Sequence, residues 1–310
     1  MKFSGRSGLD PYEVPSIMSV DQDEEIMNYI HLVAPDLRQP ATRGSLEINA
    51  EEQRREYLRQ IVRSRREVRN ALEVGCGDGE ALLDLARAGV KTVGVNLVPN
   101  QLTKAHQKAA LAGAELIYSS VFEYTPDIRF DLISTNGFLE HISANSFIEF
   151  VAHAKNLLAE GGSLVITCYN RLYNAFALNL STRTELSKGV MHKLIVEAMI
   201  FSNQETMAQT IEELLATDDL MPSVNRQVRS DSNAAEKGHY TPGQIVRLLK
   251  DFGITCVELY PLDYRGAAPR FALDHAEAQA DICSIVHRRA FGSHYLIPFS
   301  SYFMVHAMLI

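Results

Sequence analysis

The run Glu73-Val74-Gly75-Cys76-Gly77-Asp78-Gly79 constrains this chain more than any other feature, because three closely spaced glycines stand between a strand pattern and a helix pattern. Ala71 to Val74 reads as a short apolar strand and Glu80 to Ala88 as a helix. Without Cβ atoms, glycines at that junction let the backbone turn tightly and approach a ligand closely. The pattern then repeats. Thr92 to Val95 is a second strand, followed by a helix from Pro99, a residue suited to the first helical turn. Glu115 to Tyr118 and Phe130 to Ser134 are the third and fourth strands, Phe147 to Leu158 a helix stopped at Gly161-Gly162, and Ser163 to Cys168 the fifth strand. Strands alternating with helices at this spacing predict an α/β fold, with a parallel sheet covered on both faces and ligands held at the carboxyl ends of the strands.

The flanks depart from this alternation. Met1 to Pro15 reads as a loose arm, and Ser19 with Gln22 forms a capping-box signature ahead of Ile26, Met27, Ile30 and Val33 on one helical face. A second helix from Ala50 to about Val68 groups Leu58, Ile61 and Val62, and is expected either to cover the ligand as a lid or to pack at the sheet edge. Between Cys168 and Tyr240 roughly 70 residues of helical periodicity intervene, with Val190, Leu194, Ile195, Ala198 and Phe201 on one stripe; a connection of that length predicts an inserted helical cap. A helix from Thr241 to Asp251, a strand from Ile254 to Leu259, a helix around Ala272 to Arg288 and a last strand from Tyr295 to Ile310 complete the chain. The expected division is therefore 1–69 for the arm and N-terminal helices, 70–168 for the ligand-binding core, 169–239 for the cap and 240–310 for the rest of the core sheet.

Charge narrows the partners. A formal net charge of -8 argues against a broad attraction to nucleic acid, which requires a concentrated basic surface. Seven arginines lie between Arg54 and Arg69, but Glu51, Glu52, Glu56 and Glu67 are interleaved with them, as on a solvated helix face with i,i+4 pairing. Cys76, Cys168, Cys256 and Cys283 show no paired spacing and read as reduced, mostly buried thiols. The first residues lack the apolar stretch of a signal peptide, and no run approaches the length of a membrane span, so a cytoplasmic protein without a membrane partner is expected. No paired acidic or histidine cluster stands at ligand spacing, so no metal is expected. A homo-oligomer is compatible with all of this.

The glycine turn itself selects among ligands. A dinucleotide fingerprint requires a third glycine where Glu80 stands, and Glu73 before the turn and Asp78 within it would repel a pyrophosphate. Both acids suit a ligand carrying an ammonium and a sulfonium.

Glu73 to Gly79, Gly94-Val95-Asn96, and Phe130-Asp131-Leu132-Ile133 with Glu140-His141-Ile142 together resemble successive motifs of the class I, Rossmann-like S-adenosylmethionine-dependent methyltransferases of small-molecule type. The resemblance covers roughly Asn70 to Cys168. It implies a seven-stranded, mostly parallel sheet with a reversed last strand, and S-adenosyl-L-methionine as cofactor. By that resemblance Glu73, Gly75, Cys76, Gly77 and Gly79 hold the methionine end, Asn96 the ribose, Leu97, Ser120 and Val121 the adenine region, and Asn136 the border of the donor methyl. The family normally ends its second strand in Asp or Glu and places an Asp after the third; here Asn96 and Ser120 stand instead, leaving uncharged partners. Phe122 or Leu97 could pack on the adenine face.

Methyl transfer from a sulfonium asks for an acceptor that is positioned, desolvated and, where it bears a proton, deprotonated. His141, His239 and Tyr240 are the candidates for acting on the acceptor, with Tyr169, Asn170, Arg171, Tyr173 and His192 as further cap-edge residues. A large cap favours an enclosed small-molecule acceptor. Asn136-Gly137-Phe138-Leu139 also lacks the prolines and aromatics of a base-methylating motif, which disfavours a nucleic-acid substrate. Two alternatives stay open at this point: a repurposed, noncatalytic member of the fold, motivated by Asn96 and Ser120, and a nicotinamide-dependent oxidoreductase, for which Glu73 is unfavourable.

Overall fold

Alternation of side chains along the strands decides how the sheet is covered. In Asn70–Val74 (β1), Phe130–Asn136 (β4), Leu158–Tyr169 (β5) and Ser300–Leu309 (β9), the residues Leu72, Ile133, Leu164 and Val305 enter one apolar cluster. Their neighbours Ala71, Leu132, Val165 and Met304 enter another on the opposite face. Both faces are therefore buried, as a parallel sheet demands. The computed structural model describes residues 50–65, 68–109, 113–217, 223–226, 236–264 and 276–310. The arm and the Ser19 capping box lie outside these residues.

With Lys91–Asn96 (β2), Glu115–Tyr118 (β3) and Ile254–Tyr264 (β8), the sheet has the order β3-β2-β1-β4-β5-β9-β8. The pairs from β3 to β5 are parallel, whereas β9 runs antiparallel to both β5 and β8. Six strands thus point one way and the last opposes them, as expected. The order reverses between β1 and β4, which opens a crevice at their carboxyl ends.

The second helix of the sequence, Ala50–Ser64 (α1), lies across a face of the sheet: Tyr57, Leu58 and Ile61 join the cluster of Ala71, Leu132 and Val165. Glu80–Arg87 (α2), Pro99–Ala109 (α3) and Ala144–Leu157 (α4) are the crossover helices. Ser143 caps α4 by accepting from the Ser146 backbone N–H.

The cap holds Leu180–Ser187 (α5), Met191–Asn203 (α6) and Met207–Ala216 (α7). Two expectations fail here. The region also contains an antiparallel hairpin, Ser223–Arg226 (β6) with Glu236–His239 (β7), so it is not wholly helical. Ile195 is exposed, because Leu194, Ala198 and Phe201 define the buried face and Ile195 stands about 100° around the helix from Leu194. Pro242–Asp251 (α8) carries a capping box of Thr241 and Gln244 with Pro242 in its first turn, and Ala276–Ala290 (α9) follows β8. The last strand starts at Ser300 rather than Tyr295, since Pro298 cannot donate to a ladder and His294–Phe299 forms a 3-10 turn instead.

Gly94 in β2 is where helix and turn meet the sheet. A Cβ there would lie 2.5 Å from Leu82 Cδ1, 2.8 Å from Cys76 Sγ and 2.9 Å from Leu116 Cδ2. Gly94→Val is expected to destabilise the protein by about 1–3 kcal/mol through overpacking, read as a lower denaturation midpoint.

Candidate functional site

The glycine turn leaves the end of β1 with Gly75, Gly77 and Gly79 all at positive φ, 68°, 56° and 80°. The backbone N–H groups of Gly75 and Cys76 donate to the Val95 carbonyl at 2.9 and 3.2 Å, fastening the turn to β2. Lys108 of α3 holds the turn from the other side, 3.3 Å from Asp78 and paired also with Glu80. At Gly77 a built Cβ meets no atom within 4 Å, so it would project into open space above the turn.

Behind the turn sits a buried ion pair. Arg54, on the first turns of α1, is 2% exposed and Glu73 is 1% exposed. Both terminal nitrogens of Arg54 donate to Glu73 Oε1, at 3.1 and 3.2 Å. Arg54 Nη2 also reaches Glu51 Oε1 at 3.2 Å, and Glu51 Oε2 accepts from Asn136 Nδ2 at 2.9 Å. A polar chain thus crosses the crevice from β4 through α1 to β1. Glu73 Oε2 and Arg54 Nε are buried with no hydrogen-bond partner among the described residues. Burial pushes the Glu73 carboxyl up to about 7, with the Arg54 guanidinium pulling in the opposite direction.

Asn96 ends β2, where its Oδ1 accepts from the Val98 N–H at 3.3 Å and its Nδ2 donates to Gln101 Oε1 at 3.0 Å. Leu97 is half-buried beside it. Ser120 Oγ accepts from the Phe122 N–H at 3.3 Å, while Val121 is buried in the main core and Phe122 packs against it. Cys76 is buried, and burial, reinforced by Glu73, pushes its thiol up to about 12.

On the cap side, the chain returns beside the end of β5. Asn170 and Tyr240 form a parallel bridge, and the Arg171 N–H donates to the Tyr240 carbonyl at 2.9 Å. His239 stacks on Tyr169 at 5.3 Å, and Tyr169 stacks on Tyr302 at 4.3 Å. β7 packs against the turn Leu139–His141, so His239 and Glu140 belong to one neighbourhood, while the His141 side chain is exposed. Tyr240 is buried edge-on to Phe147 at 5.2 Å, and burial raises its hydroxyl pKa. The other cap-edge residues hold the cap in place. Arg171 makes a two-pronged pair with Glu185 at 3.1 and 2.9 Å, Asn170 donates to the Ile297 and Ser300 carbonyls, and Tyr173 lies half-buried in the intervening 3-10 turn. His192 is exposed on α6.

Arg54 is the residue that sequence reasoning missed, having been grouped with a solvated arginine face. Its position carried the signal: it precedes Leu58 by four residues and Ile61 by seven, on the buried stripe of α1. Glu51, Gln101 and Tyr302 were missed for want of any motif around them.

A family model described as a methyltransferase domain matches residues 47–259. The ubiquinone biosynthesis O-methyltransferases of Azorhizobium caulinodans and Nitrosococcus oceani are 30% and 31% identical to the chain over 110 and 109 residues, which is 34% of this chain and 43% and 45% of theirs. The chain therefore spans less than half the length of these curated relatives. Among solved structures, the magnesium protoporphyrin IX methyltransferase of Synechocystis with bound S-adenosylhomocysteine superposes with a TM-score of 0.53 at 12% identity, covering 93% of this chain and 99% of that one. The 1,6-didemethyltoxoflavin-N1-methyltransferase of Burkholderia thailandensis gives 0.53 at 13% identity, covering 96% and 93%. These likenesses show the fold.

Replacing Arg54 with Met should cost about 3–5 kcal/mol at pH 8, because it leaves a buried carboxylate without its cation. Below about pH 7, Glu73 holds its proton with or without Arg54, so the deficit should shrink there. Denaturant titrations at pH 6 and pH 8 check both the size and the sign.

Proposed function

The chain belongs to the methyltransferase-domain family, and on that premise we propose that it moves a methyl group from S-adenosyl-L-methionine to an oxygen, nitrogen or carbon atom of a small molecule. The observation that carries this reading is the open space above Gly77, backed by a buried acid with one free oxygen and a buried guanidinium with one free nitrogen. A zwitterionic amino-acid end fits that pair, its ammonium toward Glu73 Oε2 and its carboxylate toward Arg54. A pyrophosphate does not fit it, which sets the nicotinamide alternative aside. When bound, the cofactor supplies a methyl already activated on a sulfonium.

The protein's own residues then have three tasks. Gly75, Cys76, Gly77 and Gly79 shape the backbone around the amino-acid end. Asn96 and Gln101 present amides at the end of β2, with Leu97, Ser120 and Val121 along the adenine side, and Asn136 borders the donor region through Glu51. The described cap helices, α5 to α7, would shield the acceptor from water. His239, stacked on Tyr169, and His141 are the candidate proton acceptors for the reaction. Tyr240 keeps its hydroxyl proton, since burial raises its pKa, and so positions rather than deprotonates.

Calorimetry with S-adenosylhomocysteine tests the cofactor site. Gly77→Val should weaken binding more than tenfold, a loss above about 1.4 kcal/mol, through steric exclusion; undiminished affinity would sink the assignment. Asn96→Asp should preserve or tighten binding, because Asp can still accept from Val98 and a turned Gln101 amide can donate to it. A large loss would place Asn96 away from the ribose. Formation of S-adenosylhomocysteine over a panel of phenols, amines and carbon acids tests turnover; binding with no product from any acceptor would mark a noncatalytic member of the fold.

A further inference from the structure

The outer face of the described cap helices is not used by the proposed site. α5 and α6 turn Glu185, Leu194, Glu197, Ala198 and Phe201 inward. On the outside, Leu178, Leu180 and Leu186 are 75%, 80% and 60% exposed. On α6, Ile195, Val196 and Met199 form a stripe at positions i, i+1 and i+4 with exposures of 42%, 55% and 52%. Five large apolar side chains on two consecutive helices, with Leu178 just ahead of the first, leave exposed apolar surface of the kind that marks an interaction site. Leu178 also holds a left-handed backbone, φ 51°, at a residue whose side chain points to solvent.

Charge identifies the occupant. Over residues 176–203 the only acids are Glu185 and Glu197, and both are buried. Arg183, Lys188 and Lys193 are exposed, with His192 beside them. In a chain of net charge -8, the exposed formal charges of this 28-residue stretch, Arg183, Lys188 and Lys193, are therefore all positive. We propose that this face docks on the surface of an anionic lipid bilayer, with Leu178, Leu180, Leu186, Val196 and Met199 entering the headgroup boundary and the basic side chains meeting lipid phosphates. A second copy of the chain suits the face less well, because an isologous contact would bring two copies of the same positively charged surface together. α5 and α6 have 8 and 13 residues, and no described helix is long and apolar enough to cross a membrane, so the cap lies on the bilayer without entering its core. No run of the sequence has the length of a membrane span, and an interfacial face is set by side-chain exposure, which the sequence does not display. This inference does not depend on the identity of the methyl acceptor.

Flotation of the full chain with phosphatidylcholine vesicles, and with vesicles that also contain phosphatidylglycerol, tests it. Binding is expected to the anionic vesicles alone and to weaken with salt. Lys188→Gln with Lys193→Gln should reduce partitioning by roughly fivefold for each charge removed, and Leu180→Glu with Leu186→Glu should abolish it. Both double variants should keep the wild-type melting temperature and S-adenosylhomocysteine affinity, which separates this test from that of the cofactor site. Equal binding to both vesicle types, absence of binding, or unchanged binding by the leucine variant would overturn the proposal. So would a wild-type dimer that the leucine variant converts to a monomer, which would assign the face to a second copy.

Discussion

The buried Arg54 to Glu73 pair is the interaction on which the geometry of the crevice depends. Removing two charges from water costs several kcal/mol per ion, and the structure returns only part of this through the two bonds to Glu73 Oε1 and the one to Glu51. Such a pair is poor evidence of stability. It is better understood as fixing position, because it admits one register of α1 against β1. Tyr57, Leu58 and Ile61 could slide along an apolar sheet face at little cost, whereas Arg54 cannot leave Glu73 without stranding it. The same pair leaves one oxygen and one nitrogen without a hydrogen-bond partner, both buried, and on the proposed reading these are the atoms that a zwitterion would engage.

Polar ties also govern the cap. Arg171 and Glu185 are both buried and joined by two bonds, with Asn174 donating to the same carboxylate. Farther on, Glu197 accepts from the Gly243 N–H at 2.8 Å and so fastens α6 to the start of α8, and Arg247 donates to the Leu214 carbonyl at 2.6 Å. Apolar residues of the cap, Leu194, Phe201, Ile211 and Leu214, share the main cluster with the sheet. An insertion held this way is part of the domain core rather than an appendage, which explains how it can present a strained, exposed loop at Leu178 without loosening the acceptor side.

The sheet was legible in the sequence because its signals are local: apolar runs of strand length, glycine stops, and capping residues such as Thr241 with Gln244. The glycine turn was legible for the same reason. What stayed hidden depends on distance in space. Arg54 reads as one arginine among seven until α1 is laid on the sheet, and the Tyr169, Tyr302 and His239 stack joins residues separated by up to 133 positions, 302 - 169, with no spacing to announce it. The hairpin of β6 and β7 was read as helical because its strands are four residues long, too short for a period of two to stand out.

The departure at Asn96 takes on a specific meaning beside the ion pair. A carboxylate at the end of β2 would give a ligand a charged anchor at its ribose; here both polar atoms of Asn96 already serve the turn, one toward Val98 and one toward Gln101. Each still has capacity for a second bond, but to a neutral partner, and such bonds are roughly half as strong as charge-assisted ones. At the other end of the crevice, Arg54 offers a full charge in a water-poor setting, and Glu73 does so above about pH 7. On the proposed reading, recognition is therefore weighted toward the amino-acid end. With a Glu73 carboxyl that titrates near 7, it becomes sensitive to pH: protonation removes the acid's attraction for an ammonium, so affinity falls as pH drops through that value.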